Sequence, residues 1–492
     1  MSEINIEENF KHLLETMENN GHKDLDLLKL AFDYANDAHK KQLRFSGDPY
    51  IVHPLAVAQK LAEMKLDLNT VIAGLLHDVP EDTERSLEEI EQNFGSEISN
   101  LVKGITKLGK IKYRGLERYA ENLRKMFVAM SNDIRVIVIK FADRLHNLKT
   151  LEALPRDKQI RIATESLEIY APIAHRLNMG KIKSELEDTA FKFVYPEEYD
   201  WINRIIPKEY EKQEKYLEKI MLTVTEKLKE NKISFGNVTI QGRTKHLYSL
   251  FKKLQKPYIN MDISKIYDLL GLRIITNTVS ECYSALGVIH NLYRPVPGRI
   301  KDYIAQPKPN GYKSLHTTVF AEKGKTIEFQ IRTGQMHEEA EYGIAAHWSY
   351  KDTGKANKAS IRWIDELLKW QKQIKDSEQF LSDAKLDIFQ SRIFVFTPRG
   401  DVIDLPEDAT PIDFAYHVHS SLGDKCAGAK VNGQMVNLAH NLKSGDIIEI
   451  ITDKNRKTPN PDWLEFAKTS MARSKIRNAI NKRSFGSFFI KK

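Results

Sequence analysis

Two imidazoles and two carboxylates stand in three short segments of this chain, in contexts that suit a single divalent cation. His53 sits in Pro49-Tyr50-Ile51-Val52-His53-Pro54. His77 and Asp78 open His77-Asp78-Val79-Pro80-Glu81-Asp82. Asp143 lies in Phe141-Ala142-Asp143-Arg144-Leu145-His146-Asn147. Mixed His/Asp ligands favour Mn²⁺, Zn²⁺ or Fe²⁺ over Ca²⁺. Such an ion lowers the pKa of a bound water and supplies hydroxide near neutral pH. Glu81 and Asp82 are placed to position that water or to protonate a leaving group. The chemistry this set offers is metal-assisted hydrolysis.

A second, unrelated set follows. Gly242-Arg243-Thr244-Lys245-His246-Leu247-Tyr248-Ser249 follows an expected strand. Its glycine spacing is not that of a Walker loop, but Arg243 and Lys245 can neutralise a triphosphate directly. Asp268 precedes one apolar strand and Glu328 lies on the polar face of another. Carboxylates on neighbouring strands make a platform for Mg²⁺ and for attack on a nucleotide phosphate. Between them run Arg299-Ile300-Lys301-Asp302 and Lys308-Pro309-Asn310-Gly311-Tyr312-Lys313-Ser314-Leu315-His316. Tyr312 beside a glycine suits the stacking of a base.

The elements that must carry these residues can be read from periodicity. Residues 1–195 read as helical. Leu27, Ala31, Tyr34, Ala35 and Ala38 recur on one face. Pro80 ends or kinks the apolar helix of residues 71–77. Asp143, His146 and Asn147 share a helical face at i, i+3 and i+4. Three helices can therefore bring His53, His77/Asp78 and Asp143 to one point. Residues 196–234 read as a charged helical connector, with Trp201, Ile205, Tyr210 and Tyr216 as its packing residues. Residues 235–345 alternate helix and strand. Residues 269–275 are a buried strand, and in 326–332 Ile327, Phe329 and Ile331 oppose Glu328, Gln330 and Arg332. Residues 346–388 are polar and helical. Residues 389–453 form a small β unit with turns at Pro398-Arg399-Gly400-Asp401 and Val431-Asn432-Gly433-Gln434 and a helix over 411–421. Residues 454–492 are a basic helical tail.

Composition narrows the classes. With 492 residues the chain needs two to four cores. Hydrophobic content of 41% and charged content of 29% fit a soluble globular protein. The sequence has no apolar run of membrane-spanning length and no signal-peptide pattern at its start. Two cysteines, Cys282 and Cys426, exclude a disulfide scaffold and a cysteine-rich zinc module. A cytoplasmic location is expected. The net charge of +8 suits polyanionic ligands, nucleotides or RNA, and equally an ordinary solvated surface.

Taken together, the motifs resemble the long RelA/SpoT-type (Rel) bifunctional synthetase/hydrolases of the alarmone guanosine tetra- and pentaphosphate, (p)ppGpp. The resemblance runs from about residue 20 to 480. Arg44 to Pro54 matches the family's Arg-x-Ser-Gly-x-Pro-Tyr-x-x-His-Pro segment, His77 to Asp82 its His-Asp-x-x-Glu-Asp motif, and Ala142 to Asn147 its Ala-Asp-Arg-Leu-His-Asn segment. The resemblance implies an all-helical HD-type hydrolase domain. In it His53, His77, Asp78 and Asp143 would hold Mn²⁺, and Glu81 and Asp82 would assist removal of the 3′-pyrophosphate. Arg44, Ser46 and Asn147 would contact the nucleotide.

Gly242 to Ser249, Tyr267-Asp268-Leu269, Lys308 to His316 and Glu328 to Thr333 match the family's nucleotidyltransferase-like α/β synthetase domain. The implied reaction moves the β,γ-pyrophosphate of ATP to the 3′-hydroxyl of GDP or GTP. Asp268 and Glu328 would hold Mg²⁺ or activate the hydroxyl. Arg243 and Lys245 would bind ATP phosphates, and Tyr312 would stack on guanine. Lys308, Asn310, His316 and Gln330 complete the implied nucleotide site. Arg299-Ile300-Lys301-Asp302 resembles the basic variant of bifunctional members.

Asp413 to Ser420 resembles a β-grasp TGS domain, and implies contact of His419 with the 3′ end of uncharged tRNA on a ribosome. A histidine that caps a short helix explains the same residue. The chain departs from the family at Asp48 (usually Glu), at Gly271 (often Ala) and at its C-terminus. It ends in the family's helical segment, before the zinc-finger-like and ACT modules, which puts ribosome-coupled control in question. Two rival readings remain at this level. One is a hydrolase with a weak synthetase. The other is an RNA-associated sensor with silent catalytic halves.

Overall fold

The computed structural model describes residues 5–109, 115–231, 239–256, 259–263, 266, 270–308, 310–321, 325–347, 392–443, 445–456 and 458–488. The expected helical stretch 346–388 falls almost wholly outside them, and Asp268 does too. The chain divides into two compact units, one of residues 1–112 and 122–370 and the other of residues 113–121 and 371–492.

The chain begins with the α-helices α1 (Ile6–Asn19), α2 (Asp26–Ala38), α3 (Val52–Glu63), α4 (Leu68–Leu76), α5 (Val79–Asp82), α6 (Leu87–Phe94), α7 (Ser96–Gly109), α8 (Gly115–Asn132), α9 (Arg135–Lys149), α10 (Arg156–Glu165), α11 (Ala171–Arg176) and α12 (Gly180–Val194). Helix α4 is the centre. Every residue from Thr70 to Leu76 is buried, as its apolar run requires, and Asp67 caps it by accepting from Thr70 N at 3.0 Å. On α2 the buried face is Leu28, Ala31, Phe32 and Ala35. The expected stripe through Leu27, Tyr34 and Ala38 is therefore rotated, because the two largest apolar groups reach furthest into the core. Pro80 does end α4, but it also starts α5, where its missing N–H costs nothing.

Helix α13 (Pro196–Glu230) leads into a five-stranded sheet. The strands are β1 (Thr239–Thr244), β2 (Leu270–Thr276), β3 (Arg294–Asp302), β4 (Leu315–Phe320) and β5 (Thr326–Thr333), in the order β1-β2-β5-β4-β3. Only the β2–β5 pair is parallel. Helices α14 (Leu247–Leu254), α15 (Val279–Leu292) and α16 (Gly334–Tyr342) complete this half. One sheet face, with Leu272, Ile274, Leu315, Val319, Ile327, Phe329 and Ile331, packs on Cys282, Ala285 and Ile289 of α15 and on Ile220, Val224 and Leu228 of α13.

The charged helix is thus no bare connector. Its second half is one wall of the sheet's core, and the packing residues are not Trp201 or Ile205 but the fully buried Ile220, Val224 and Leu228. Tyr216 does pack on this core, whereas the side chain of Tyr210 lies outside the description. The Gly242-Arg243 pair also lies inside strand β1, not after it. On the face expected to be polar, Gln330 and Arg332 are only 4% and 2% exposed, because α16 packs there against β2 and β5.

In the second unit, β6 (Arg392–Phe396) and β7 (Val402–Pro406) form a hairpin. Strands β8 (Cys426–Val431), β9 (Gln434–Val436) and β10 (Ile448–Thr452) form a sheet in the order β10-β8-β9. The expected helix 411–421 is two helices, Pro411–Val418 and Ser420–Asp424, broken at the extended His419. Packing continues past residue 453. Trp463, Ala467, Ala472 and Ile476 share a core with Ile412, Tyr416 and Cys426. The buried Asp413 carboxylate accepts from Thr410 N and Oγ1 on one oxygen and from Lys468 N, Thr469 N and Thr469 Oγ1 on the other. An unpaired charge at such a place would be costly, so five donors converge on it.

Candidate active sites

The first turn of α3, the end of α4 and the middle of α9 bring the metal-ligand candidates together. Ligand atoms of the buried His53, His77 and Asp143 all lie within 4.8 Å of one another. Asp78 lies at their edge, with Oδ1 3.1 Å from His77 Nε2 and Oδ2 3.5 Å from His53 Nε2. His77 Nδ1 is 2.7 Å from the Gly74 carbonyl oxygen, an acceptor only, so the proton is on Nδ1 and the lone pair on Nε2. That Nε2 is buried, has no hydrogen-bond partner and faces carboxylate oxygens of Asp78 and Asp143. A lone pair aimed at two acceptors is what a divalent cation resolves, and the donor set fits one.

Each candidate ligand has an outer partner. Lys140 Nζ pairs with Asp143 Oδ2 at 2.7 Å, Tyr50 OH donates toward Asp78 Oδ2 at 3.0 Å, and His146 Nδ1 lies 2.8 Å from His53 Nδ1. Burial opposes ionisation of Asp143, yet Lys140 and the two histidines hold its carboxyl well below the usual range. Burial likewise opposes Asp78, and His77 and His53 hold it low. Burial pushes His53 down, and His146 down to about 3, so both rings are neutral at pH 7. Desolvation lifts the Glu81 carboxyl to about 7, although the residue as a whole reaches solvent. Asp82 Oδ2 is held by Tyr50 OH at 2.6 Å.

Of the expected nucleotide contacts here, Arg44 and Asn147 reach the site but bind each other, Nη2 to Oδ1 at 2.9 Å. Ser46 Oγ donates to Asp48 Oδ2 at 2.6 Å within the 44–48 hairpin.

In the sheet half, register places Gln241, Arg273, Gln330, His316 and Lys301 opposite one another across five strands. Arg243, Gly271, Glu328 and Thr318 form the neighbouring row. Glu328 is the hub: Oε2 lies 3.6 Å from Arg243 Nη1 and 3.2 Å from Gln330 Nε2, and Oε1 lies 3.3 Å from His316 Nδ1. Gly271 stands between Arg243 and Glu328 in this row. Tyr312 OH meets His316 Nε2 at 2.8 Å, and Lys308 Nζ lies 5.1 Å from the Tyr312 ring centroid. Burial lowers Lys308 to about 8. Asn310 turns away from this cluster and donates to the His175 carbonyl oxygen on α11 at 2.9 Å.

Sequence reasoning passed over Tyr50, Lys140 and His146 as site residues. Tyr50 lies three residues before His53, Lys140 three before Asp143 and His146 three after it. That i, i+3 spacing was the available signal.

A helical scaffold gathers imidazoles and carboxylates at one buried point, and a mixed sheet carries a second carboxylate ringed by cations. Residues 31–180 match the HD domain family, 242–355 the region found in RelA / SpoT proteins, and 393–452 the TGS domain. Over 98% of its length the chain is 46% identical to a guanosine-3′,5′-bis(diphosphate) 3′-pyrophosphohydrolase of Aquifex aeolicus, 68% of which it covers. It is 47% identical to a GTP pyrophosphokinase of Myxococcus xanthus, covering 94% of this chain and 61% of that one. It is 45% identical to the bifunctional (p)ppGpp synthase/hydrolase SpoT of Escherichia coli K12, covering 92% and 64%. The chain belongs to the long RelA/SpoT family, and it spans about two thirds of the length of these relatives.

Proposed function

We propose that this chain both makes and destroys (p)ppGpp. The sheet half would transfer pyrophosphate from ATP to the 3′-hydroxyl of GDP or GTP, and the helical half would hydrolyse the 3′-pyrophosphate of the product. The observation that carries the hydrolase is the orphaned, buried His77 Nε2 among His53, Asp78 and Asp143. These four would hold Mn²⁺, whose chemistry is to acidify a bound water. Glu81, with its carboxyl raised to about 7, holds or gives a proton to the leaving ribose 3′-oxygen, and Tyr50 keeps Asp82 beside it. Arg44, Ser46 and Asn147 are the proposed nucleotide contacts.

For the synthetase, Asp268 and Glu328 would hold Mg²⁺ or activate the 3′-hydroxyl. Arg243, Lys245 and Lys308 neutralise the polyphosphates. Tyr312, Asn310, His316 and Gln330 position the purine nucleotide. The support is the convergence of Arg243, His316 and Gln330 on one carboxylate.

In the second unit, Ser421 N donates to His419 Nδ1, so the histidine caps its helix and carries its proton on the exposed Nε2. That donor is the proposed contact for a tRNA 3′ end. Among the described residues no helix is long and apolar enough to cross a membrane.

The test is direct. Purified chain is incubated with ATP, GDP and Mg²⁺, and separately with (p)ppGpp and Mn²⁺. Both reactions are expected, and failure of either removes that half of the reading.

A further inference from the structure

His146 is outside the expected ligand set, yet it abuts the metal pocket from behind. Its Nδ1 lies 2.8 Å from His53 Nδ1 and 3.1 Å from Arg44 Nη1. A guanidinium can only donate, so the Arg44 contact makes His146 Nδ1 an acceptor. Sharing that lone pair with His53 places the proton between the two rings on His53 Nδ1. A neutral imidazole protonated at Nδ1 carries its lone pair on Nε2, the atom 3.2 Å from Asp143 Oδ1. The other arm of the same guanidinium works in parallel. Arg44 Nη2 donates to Asn147 Oδ1 at 2.9 Å, and Asn147 Nδ2 donates to Asp143 Oδ1.

Arg44 is itself fixed by the hairpin. Arg44 N donates to Asp48 O, Gly47 N donates to Arg44 O, and Leu43 bridges Pro49. One side chain on a rigid turn therefore reaches two adjacent residues of α9, and through them two metal-ligand candidates.

We propose that His146 is a positioning residue for the metal site. Its Nδ1 lone pair, shared between Arg44 and His53, locks His53 in the tautomer that offers Nε2 to a divalent cation. Asn147 orients Asp143 in the same way, and Arg44 holds both. The proposal rests on the metal half of the reading above and not on the identity of the substrate. Groups in this outer position orient the ligand ring and raise its basicity.

The test uses the full chain, stripped of metal and titrated with Mn²⁺ alone, by calorimetry and by electron paramagnetic resonance. His146→Leu removes the acceptor and should weaken Mn²⁺ about 10- to 100-fold, the usual effect of losing such a partner. His146→Asn places an amide oxygen near the lost nitrogen and should stay within about threefold of wild type. Nitrogen–proton spectra of the metal-free wild type should show His53 protonated at Nδ1. Wild-type affinity in the leucine variant, equal loss in both variants, or His53 protonated at Nε2 would each overturn the proposal. If the leucine variant does not fold, the wild-type spectrum still decides. Normal Mn²⁺ behaviour without (p)ppGpp cleavage would remove the substrate reading and leave this one standing.

Discussion

Asp188, on the last helix of the helical half, caps a helix of the sheet half by accepting Tyr248 N at 3.0 Å. Its second oxygen meets His246 Nδ1 at 3.0 Å. Tyr248 and His246 follow directly on Arg243 and Lys245. The seam is further held by Asn178 donating to Glu339 O, Ile344 N donating to Leu177 O, and the Lys65–Glu338 pair. Two opposing reactions in one chain would waste ATP unless one site is favoured over the other, and this seam is where a bias can pass.

The coupling predicted here is reciprocal. A nucleotide in the synthetase should weaken (p)ppGpp binding at the hydrolase by the same factor as the reverse. Calorimetry on Glu81→Gln/Glu328→Gln protein, with each ligand titrated in the presence and absence of the other, measures it. Asp188→Ala should shrink that factor and cost about 1 kcal/mol of stability as a lost cap. Unchanged affinities in both directions would mean two independent enzymes.

Asp78→Ala removes one carboxylate from beside His77 and His53. Mn²⁺ occupancy should fall and hydrolysis drop by orders of magnitude, while synthesis persists. Metal analysis beside both assays checks it, and full occupancy with normal hydrolysis would refute the assignment.

Glu328→Gln keeps the shape of the hub but removes its charge. Synthesis should fall roughly 10²- to 10⁴-fold, the range for losing a general base, with hydrolysis near normal. Retained synthesis would place the base elsewhere.

Lys308, lowered to about 8, is charged below that pH and neutral above it. The KM for the nucleotide should therefore rise as pH passes upward through about 8, and bound polyphosphate should move that limb to higher pH. Lys308→Arg stays charged and should flatten the limb. A wild-type profile flat from pH 7 to 9.5 would count against the role.

Two glycines should respond oppositely to alanine. At Gly271 a Cβ meets nothing nearer than Glu328 O at 3.5 Å, so Gly271→Ala should stabilise by about 0.5–1 kcal/mol through reduced strand entropy cost. Gly343 has φ +57° and ψ −128°, and its Cβ would fall 2.0 Å from Leu177 O. Gly343→Ala should loosen the seam by more than about 2 kcal/mol. Thermal melts of both variants give the answer.

The sequence alone located the helix carrying His53, the apolar helix ending at His77, and the shared face of Asp143, His146 and Asn147. It also determined the alternation that puts Ile327, Phe329 and Ile331 in the core with Glu328 opposite. These are legible because helix and strand periods are local, and a residue's face follows from its own neighbours. Burial depth was not legible. Gln330 and Arg332 read as a polar face and are buried, since only the fold brings α16 over them. Helix α13 read as a connector and is a core wall, because its Ile220, Val224 and Leu228 had no visible partner until the sheet formed. His146 and Arg44, 102 residues apart, meet only across a tertiary contact. The choice of which nitrogen His53 offers is set by that contact: a tautomer answers to the hydrogen-bond partner present, and sequence spacing does not encode one.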